Sequence, residues 1–318
     1  MEMQQNSISV NANNNKLMSS LRAQDLNLLP VFDTVMQEQN ITRAAKELGM
    51  SQPAVSNAVS RLKVMFDDEL FIRHGRGILP TSKARELFGP IRQALQLVKN
   101  ELPDTKFSPM TTQRQFKVSI ASPLDMRLST AIINSIGKAA PNADLVIESC
   151  NDNVVDERLR LQDVDFSLDF STYPKHGYDS TELYEDDLVV LCSGNHPRIK
   201  ESISVEQLVN EKHAKLISVQ NNQQFSDEFY NKIDAKIALK VQNVLSLLKA
   251  IEDTDLVAVL PSSVLTTAIN LTKISVLKNP TDIARVKCYL NWHKSSEKDK
   301  ANNWLKNHLI DTINATRF

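Results

Sequence analysis

The chain has 318 residues, 42% of them hydrophobic and 24% charged, and a formal net charge of −1. That is the composition of a globular protein with room for two or three domains, each burying its own core. No stretch has the apolar length needed to span a bilayer, no apolar run near the start reads as a secretory signal, and the three scattered cysteines (Cys150, Cys192, Cys288) exclude a disulfide framework and a Cys-x-x-Cys zinc site. A cytoplasmic location is expected, with Cys192 and Cys288 as buried apolar residues in strand-like runs.

Residues 1–22 are rich in Asn, Ser and Gln and predict a disordered tail. Residues 23–82 predict a compact domain. Asp25 is placed to cap a first helix that turns Leu28, Leu29, Phe32 and Val35 to a core, and Pro30 requires that helix to start late or to bend. Thr42 is placed to cap a second helix with Ala44, Ala45 and Leu48 on its apolar side, and Gly49 offers the positive φ that a helix end needs. Ser51 then caps a third, with Pro53 in its first turn, where a missing N–H costs nothing. Val55, Val59, Leu62 and Phe66 share one stripe of it. On the other side lie Pro53, Ser56, Asn57 and Ser60, with Gln52 at the mouth: small or amide side chains suited to base edges. Arg61 flanks them, within reach of phosphates. Leu70-Phe71 begins a strand, Arg73, His74 and Arg76 surround Gly75 and Gly77 in a turn, and Ile78-Leu79 returns.

A short helix, a glycine turn, a second helix and a basic hairpin make a winged helix-turn-helix, whose usual business is the DNA major groove. The other reading is a helical hairpin in an ordinary core with a solvated face. Charge within the segment is near even, because Asp67, Asp68 and Glu69 adjoin Arg73 and Arg76. Tight DNA binding therefore calls for two such domains acting together.

Residues 83–112 predict a linker. Ala84, Leu87, Phe88, Ile91, Leu95, Val98 and Leu102 recur at helical spacing, Gly89-Pro90 should bend the helix, Pro103 ends it, and Thr105 to Thr112 reads as a hinge. Such a stripe is covered either by a second helix or by its own domain. Residues 113–318 alternate strands and helices, which implies parallel sheets under helices. The expected strands are 116–120, 144–149, 166–170, 188–192, 215–219, 236–241, 256–260 and 286–292; the expected helices are 123–139, 154–162, 205–209, 226–232, 244–251 and 298–313.

Seven glycines, at 49, 75, 77, 89, 137, 177 and 194, spell no phosphate-binding loop, and the six histidines form no metal-ligand spacing. No cofactor, no metal and no catalysis are expected, although abundant carboxylates leave a paired-carboxylate site open. A ligand cleft has better support, because open parallel sheets bind ligands where strand ends meet helix starts. The candidates are Ser122 and Pro123 after the first strand, Asn151 and Asn153 after the second, Asn221 and Asn222 after the strand ending at Val219, and Pro261 after Val259-Leu260. Each of these could equally be a plain cap or turn residue.

Residues 25–81 resemble the amino-terminal domain of the LysR-type transcriptional regulators. The shared pattern is Ala44, Ala45, Leu48, Ser51-Gln52-Pro53-Ala54-Val55-Ser56, Leu70-Phe71-Ile72-Arg73 and Thr81. Asp25 to Leu29 and Asp67-Asp68-Glu69 are similar to the LeuO/nodulation-regulator branch, as are Lys63 and Arg85, where the commonest family form has glutamate and glycine. The resemblance implies an α/β protein: an N-terminal winged helix-turn-helix, a linker helix pairing two subunits through Leu87, Ile91, Leu95 and Val98, and a C-terminal two-lobe effector domain like a periplasmic binding protein. Lobe I would span about 113–194 and 275–318, and lobe II about 195–274. It also implies a homodimer or homotetramer on pseudo-palindromic, A·T-rich DNA, activating or repressing transcription. Gln52, Pro53, Ser56, Asn57 and Ser60 would face bases, while Arg43, Arg61, Arg73, His74 and Arg76 would grip backbone or groove. RNA polymerase and a small-molecule effector are further expected partners. The alternative is an architectural protein that coats A·T-rich DNA with low specificity and displaces other DNA-coating proteins.

Overall fold

The computed structural model describes Arg22 and residues 24–75, 77–102, 107–149, 155–217, 225–268, 273–283 and 285–316. The expectations for residues 1–21, Arg76, Cys150, Asn151, Asn153, Asn221 and Asn222 lie outside the described residues. The chain divides into two compact units, Met1–Leu102 and Pro103–Phe318. Among the described residues no helix is long and apolar enough to cross a membrane.

The first unit holds α1 (Leu28–Glu38), α2 (Ile41–Glu47), α3 (Gln52–Phe66), β1 (Phe71–His74), β2 (Gly77–Pro80) and α4 (Ser82–Glu101). Because α1 begins at Leu28, Pro30 falls in its first turn and interrupts no helical hydrogen bond. Asp25 does not cap it: its carboxylate accepts the Asn27 N–H at 3.1 Å and pairs with Arg61. Thr42 is not the cap of α2 either. That helix starts one residue before it, so extended Asn40 stands at the cap and accepts the Thr42 and Arg43 N–H groups at 2.9 and 3.0 Å. Gly49 has φ +63°, and Ser51 caps α3 as expected, accepting the Ala54 N–H at 3.3 Å. Phe32, Val55, Leu62, Leu70, Ala84 and Phe88 are fully buried, and each of these side chains larger than alanine contributes about 1.5–3 kcal/mol on burial.

β1 and β2 pair antiparallel from Phe71↔Pro80 to His74↔Gly77. This hairpin is fastened to the end of α1, where the Ile78 N–H donates to the Gln39 carbonyl at 3.0 Å. A Cβ at position 77 would lie 2.8 Å from that same carbonyl oxygen, so the approach requires glycine. Thr81 closes the hairpin and caps α4 through the Ala84 N–H at 3.1 Å.

α4 is one helix from Ser82 to Glu101 with Pro90 inside it. Its stripe divides. Ala84, Phe88 and Ile91 are buried, and α4 packs on α1 of its own unit. Leu87 and Leu95 are half-buried, whereas Leu97, Val98 and Leu102 are 48%, 64% and 53% exposed. Cover by its own domain thus applies to the first half of the helix, and the second half is open in the single chain.

The second unit contains β3 (Gln115–Ile120), α5 (Leu124–Ala139), β4 (Asp144–Ser149), α6 (Val155–Arg160), β5 (Phe166–Asp169), β6 (Tyr178–Ser193), α7 (Val205–Asn210), β7 (Lys212–Leu216), α8 (Asp227–Lys232), β8 (Lys236–Val241), α9 (Val244–Asp253), β9 (Ala258–Pro261), α10 (Ser262–Ala268), β10 (Ile274–Lys278), β11 (Arg285–His293) and α11 (Lys300–Ala315). The strand expected at 215–219 begins earlier, at Lys212, where its backbone pairs with β8 and with Val257. The apolar run 188–192 proves to be the end of the 16-residue β6. β10 and α10 have no counterpart in the sequence reading.

The two lobes share one continuous sheet, ordered β10-β6-β11-β5-β3-β4, with β9 also on β6. β3 is parallel to β4 and β5, but β11 and β6 run antiparallel, so the sheet is mixed rather than purely parallel. Tyr178 to Asp187 of β6 pair with β11 in lobe I, while Leu188 to Ser193 pair with β9 and β10 in lobe II. The change of lobe therefore falls inside β6, not at residue 194. β10, placed in lobe I by the expected boundary at 275, belongs to lobe II, since Leu277 is buried with Leu188, Val190 and Val257.

Lobe I is centred on Phe116, Val118, Ile120, Leu128, Ile132, Phe166, Leu290, Leu305 and Leu309 between α5, α11 and the sheet. The supposed hinge is attached to this core. Phe107 packs 5.7 Å from the Trp304 ring, and Asn142 Nδ2 donates to the Met110 carbonyl at 2.9 Å. Arg114 reaches Asp165, Asp299 and Asn302 at 3.1, 2.7 and 2.7 Å. Residues 107–114 thus form a fixed strap on lobe I.

Asn40→Ala should cost about 1 kcal/mol, because two N–H groups of α2 lose their acceptor. A lowered denaturation midpoint of the first unit's transition, with unchanged slope, checks this.

Candidate nucleic-acid interface and effector cleft

Folding of α2 and α3 sorts the expected DNA-facing residues to one side. Val55, Ala58, Val59 and Leu62 turn inward, leaving Gln52, Pro53, Ser56, Asn57, Ser60 and Arg61 exposed. Pro53 and the Ser51 cap put the start of α3 outward with no side chain longer than glutamine before Arg61. Ser60 spends its hydroxyl hydrogen on the Ser56 carbonyl at 3.0 Å, which leaves its oxygen as an acceptor.

The basic residues are unequal. Arg61 pairs with Asp25 at 2.6 Å, and Arg43 pairs with Glu38 at 3.0 Å; both guanidinium groups stay more than half exposed. Exposed pairs of this kind contribute about 0–1 kcal/mol and yield readily to a phosphate. Arg73 and His74 extend from β1 into solvent, and Arg73 has no ion pair among the described residues. Asp68, of the acidic run, turns to structure: it accepts the Leu70 N–H at 2.6 Å and the Thr81 hydroxyl at 2.8 Å. Those bonds, the backbone one first, hold its carboxyl below the ordinary value.

In the second unit Ser122 and Pro123 follow β3 directly and start α5, and Pro261 ends β9 opposite Leu188. Asp125, in the first turn of α5, has one carboxylate oxygen buried without a partner, and burial pushes its pKa up. Several residues at the junction of the lobes carried no signal in the sequence. The Phe170 and Phe225 rings meet at 4.8 Å between centroids, tilted by 41°, Met126 packs against the lobe II core, and Asp186 accepts the Ser262 hydroxyl at 2.8 Å. Only the Ser262-Ser263 pair following Leu260-Pro261 could have drawn notice, as a helix start. Asp186 and Phe225 lie far from it in the chain.

Comparison with known proteins agrees with this division. Residues 26–85 match the model described as bacterial regulatory helix-turn-helix protein, lysR family, and residues 111–314 match the LysR substrate binding domain. The HTH-type transcriptional regulator LeuO of Escherichia coli (strain K12) is 43% identical over 292 residues, covering 91% of this chain and 93% of that protein. The HTH-type transcriptional activator NahR of Pseudomonas putida is 27% identical, covering 92% and 98%. Among solved structures, a full-length OxyR variant from Pseudomonas aeruginosa superposes with a TM-score of 0.74 at 20% identity, covering 91% of this chain and 97% of that one. Full-length CbnR complexed with its target DNA superposes at 0.52 and 17% identity, covering 91% and 100%. With both halves of the chain matched, and a relative at this identity over nearly its whole length, the chain belongs to the LysR family of transcriptional regulators.

Proposed function

We propose that two or more copies of this regulator read a pseudo-palindromic, A·T-rich DNA site in the cytoplasm, each with the outward face of α3. The observation that carries this reading is the clean separation on that helix, with its apolar stripe buried and Gln52, Pro53, Ser56 and Asn57 exposed together. In this reading those four residues and Ser60 meet base edges. Arg43, Arg61, Arg73, His74 and Arg76 meet phosphates or the adjoining minor groove. The near-neutral charge favours a dimer, since each domain neutralises few phosphates. The open half of α4, with Leu95 half-buried and Val98 exposed, is the natural place for two copies to pair. Residues 107–316 then serve as an effector domain whose cleft, near Ser122, Pro123 and Pro261, admits a small molecule, and RNA polymerase is the downstream partner.

A second reading, low-specificity coating of A·T-rich DNA, is favoured by the wing alone. Its exposed Arg73 and His74 suit a narrow minor groove without base readout. Selection of sheared genomic fragments by the full-length protein at physiological salt separates the two. A few enriched sites sharing a dyad support sequence-specific regulation; broad A·T enrichment without a dyad supports coating.

Ser56→Glu should abolish specific binding while leaving the fold intact, because an exposed side chain is replaced by a like charge facing the DNA. Unchanged affinity for a selected fragment would contradict the docking. Val98→Asp should shift the protein towards smaller species in sedimentation at micromolar concentration, and an unchanged profile would move the pairing surface elsewhere.

A further inference from the structure

The lobes of the second unit are held together by contacts that strand pairing does not require. Met126 sits in the first turn of α5 in lobe I, yet packs against the lobe II cluster that includes Leu191, Leu260 and Leu265. α5 also lies against α10 of lobe II. Phe170 follows β5 and borders the lobe I core, whereas Phe225 borders both clusters of lobe II; their rings meet at 4.8 Å. Asp186 is the third element. It lies in the part of β6 that pairs with lobe I, is only 7% exposed, and accepts the Ser262 hydroxyl at 2.8 Å and the Ser263 N–H at 3.3 Å, with the Ser263 hydroxyl on its other oxygen.

We propose that Met126, the Phe170–Phe225 pair and Asp186 form a latch that closes the effector domain on itself, so that regulation works by opening it. This deepens the reading of residues 107–316 as an effector domain and rests on it. Every contact in the latch is made by the chain's own atoms. The tilted pair of aromatic rings and the half-buried methionine lose favourable contact when the lobes part, and a buried carboxylate loses charge-assisted hydrogen bonds. The donors that begin α10 are already used by Asp186, so an anionic molecule finds that place taken. An agent that regulates the protein must therefore favour the parted lobes over the closed ones, since binding both equally shifts nothing.

The test is hydrogen–deuterium exchange of the full-length protein without DNA. In the wild-type protein, peptides covering residues 124–128 and 262–266 should exchange slowly. Phe225→Ala should speed exchange in both by about tenfold, the size of a modest shift in a closed–open equilibrium, while peptides from β3 and α11 keep their wild-type rates. Phe225→Leu should recover part of the protection. If Phe225→Ala also speeds exchange throughout lobe II, Asp186→Asn is the deciding variant, and it should loosen the same two peptides alone. Unchanged exchange in the deciding variant, or wild-type peptides that exchange as fast as exposed loops, overturns the latch. Because no DNA is present, failure here leaves the DNA-binding reading standing. Failure of the wild-type protein to enrich any genomic fragment removes that reading without touching the latch.

Discussion

The structure of the second unit depends on one strand. β6 runs unbroken from Tyr178 to Ser193, supplying an edge to the lobe I sheet with its first part and the middle of the lobe II sheet with its last. A backbone ladder shared in this way leaves the lobes little freedom to slide, so the motion left to them is bending about β6 and the return between β10 and β11. Everything placed near that line is leveraged. Asp186 stands two residues before the strand's pairing passes to lobe II at Leu188, which is paired with Pro261.

The DNA-reading unit works under a different constraint, that of charge. The wing and α3 sit beside an acidic run, and Arg43 and Arg61 are both already tied to carboxylates. Such a surface carries little net positive charge, and its exposed ion pairs are each worth only about 0–1 kcal/mol. Under the proposed docking, weak general attraction favours discrimination over sheer affinity. That is consistent with a regulator which must ignore most of a genome.

Much of this was legible in the sequence, and the parts that were not share a cause. Short-range signals read well: Ser51, Gly49, Pro53 and the Val55 stripe specify α3 locally, and the structure follows them. Caps chosen among neighbours did not, because Asn40 and Thr42 are both good caps and only the packed helix start decides between them. The linker stripe was visible, but its division into a covered and an open half depends on where α1 ends. The packing of residues 107–114 on lobe I was not legible, because it depends on Trp304, Asn142 and Asp299, all outside the local sequence. For the same reason none of the lobe-bridging residues was found. Asn151, Asn153, Asn221 and Asn222 fall outside the described residues.

Arg114 has a consequence for the order in which the protein can be made. Its partners Asp165 and Asp299 lie before and after the stretch of chain that forms lobe II, and β11 is inserted between β5 and β6 in the middle of the lobe I sheet. Lobe I therefore cannot be completed on the ribosome until all of lobe II has emerged. Lobe II, drawn from one contiguous stretch, is free to assemble first. During that interval the strand edge that β11 will fill stays open, and Asp299, one of the two acids on Arg114, has yet to be made. The part of the molecule translated earlier is the part finished last.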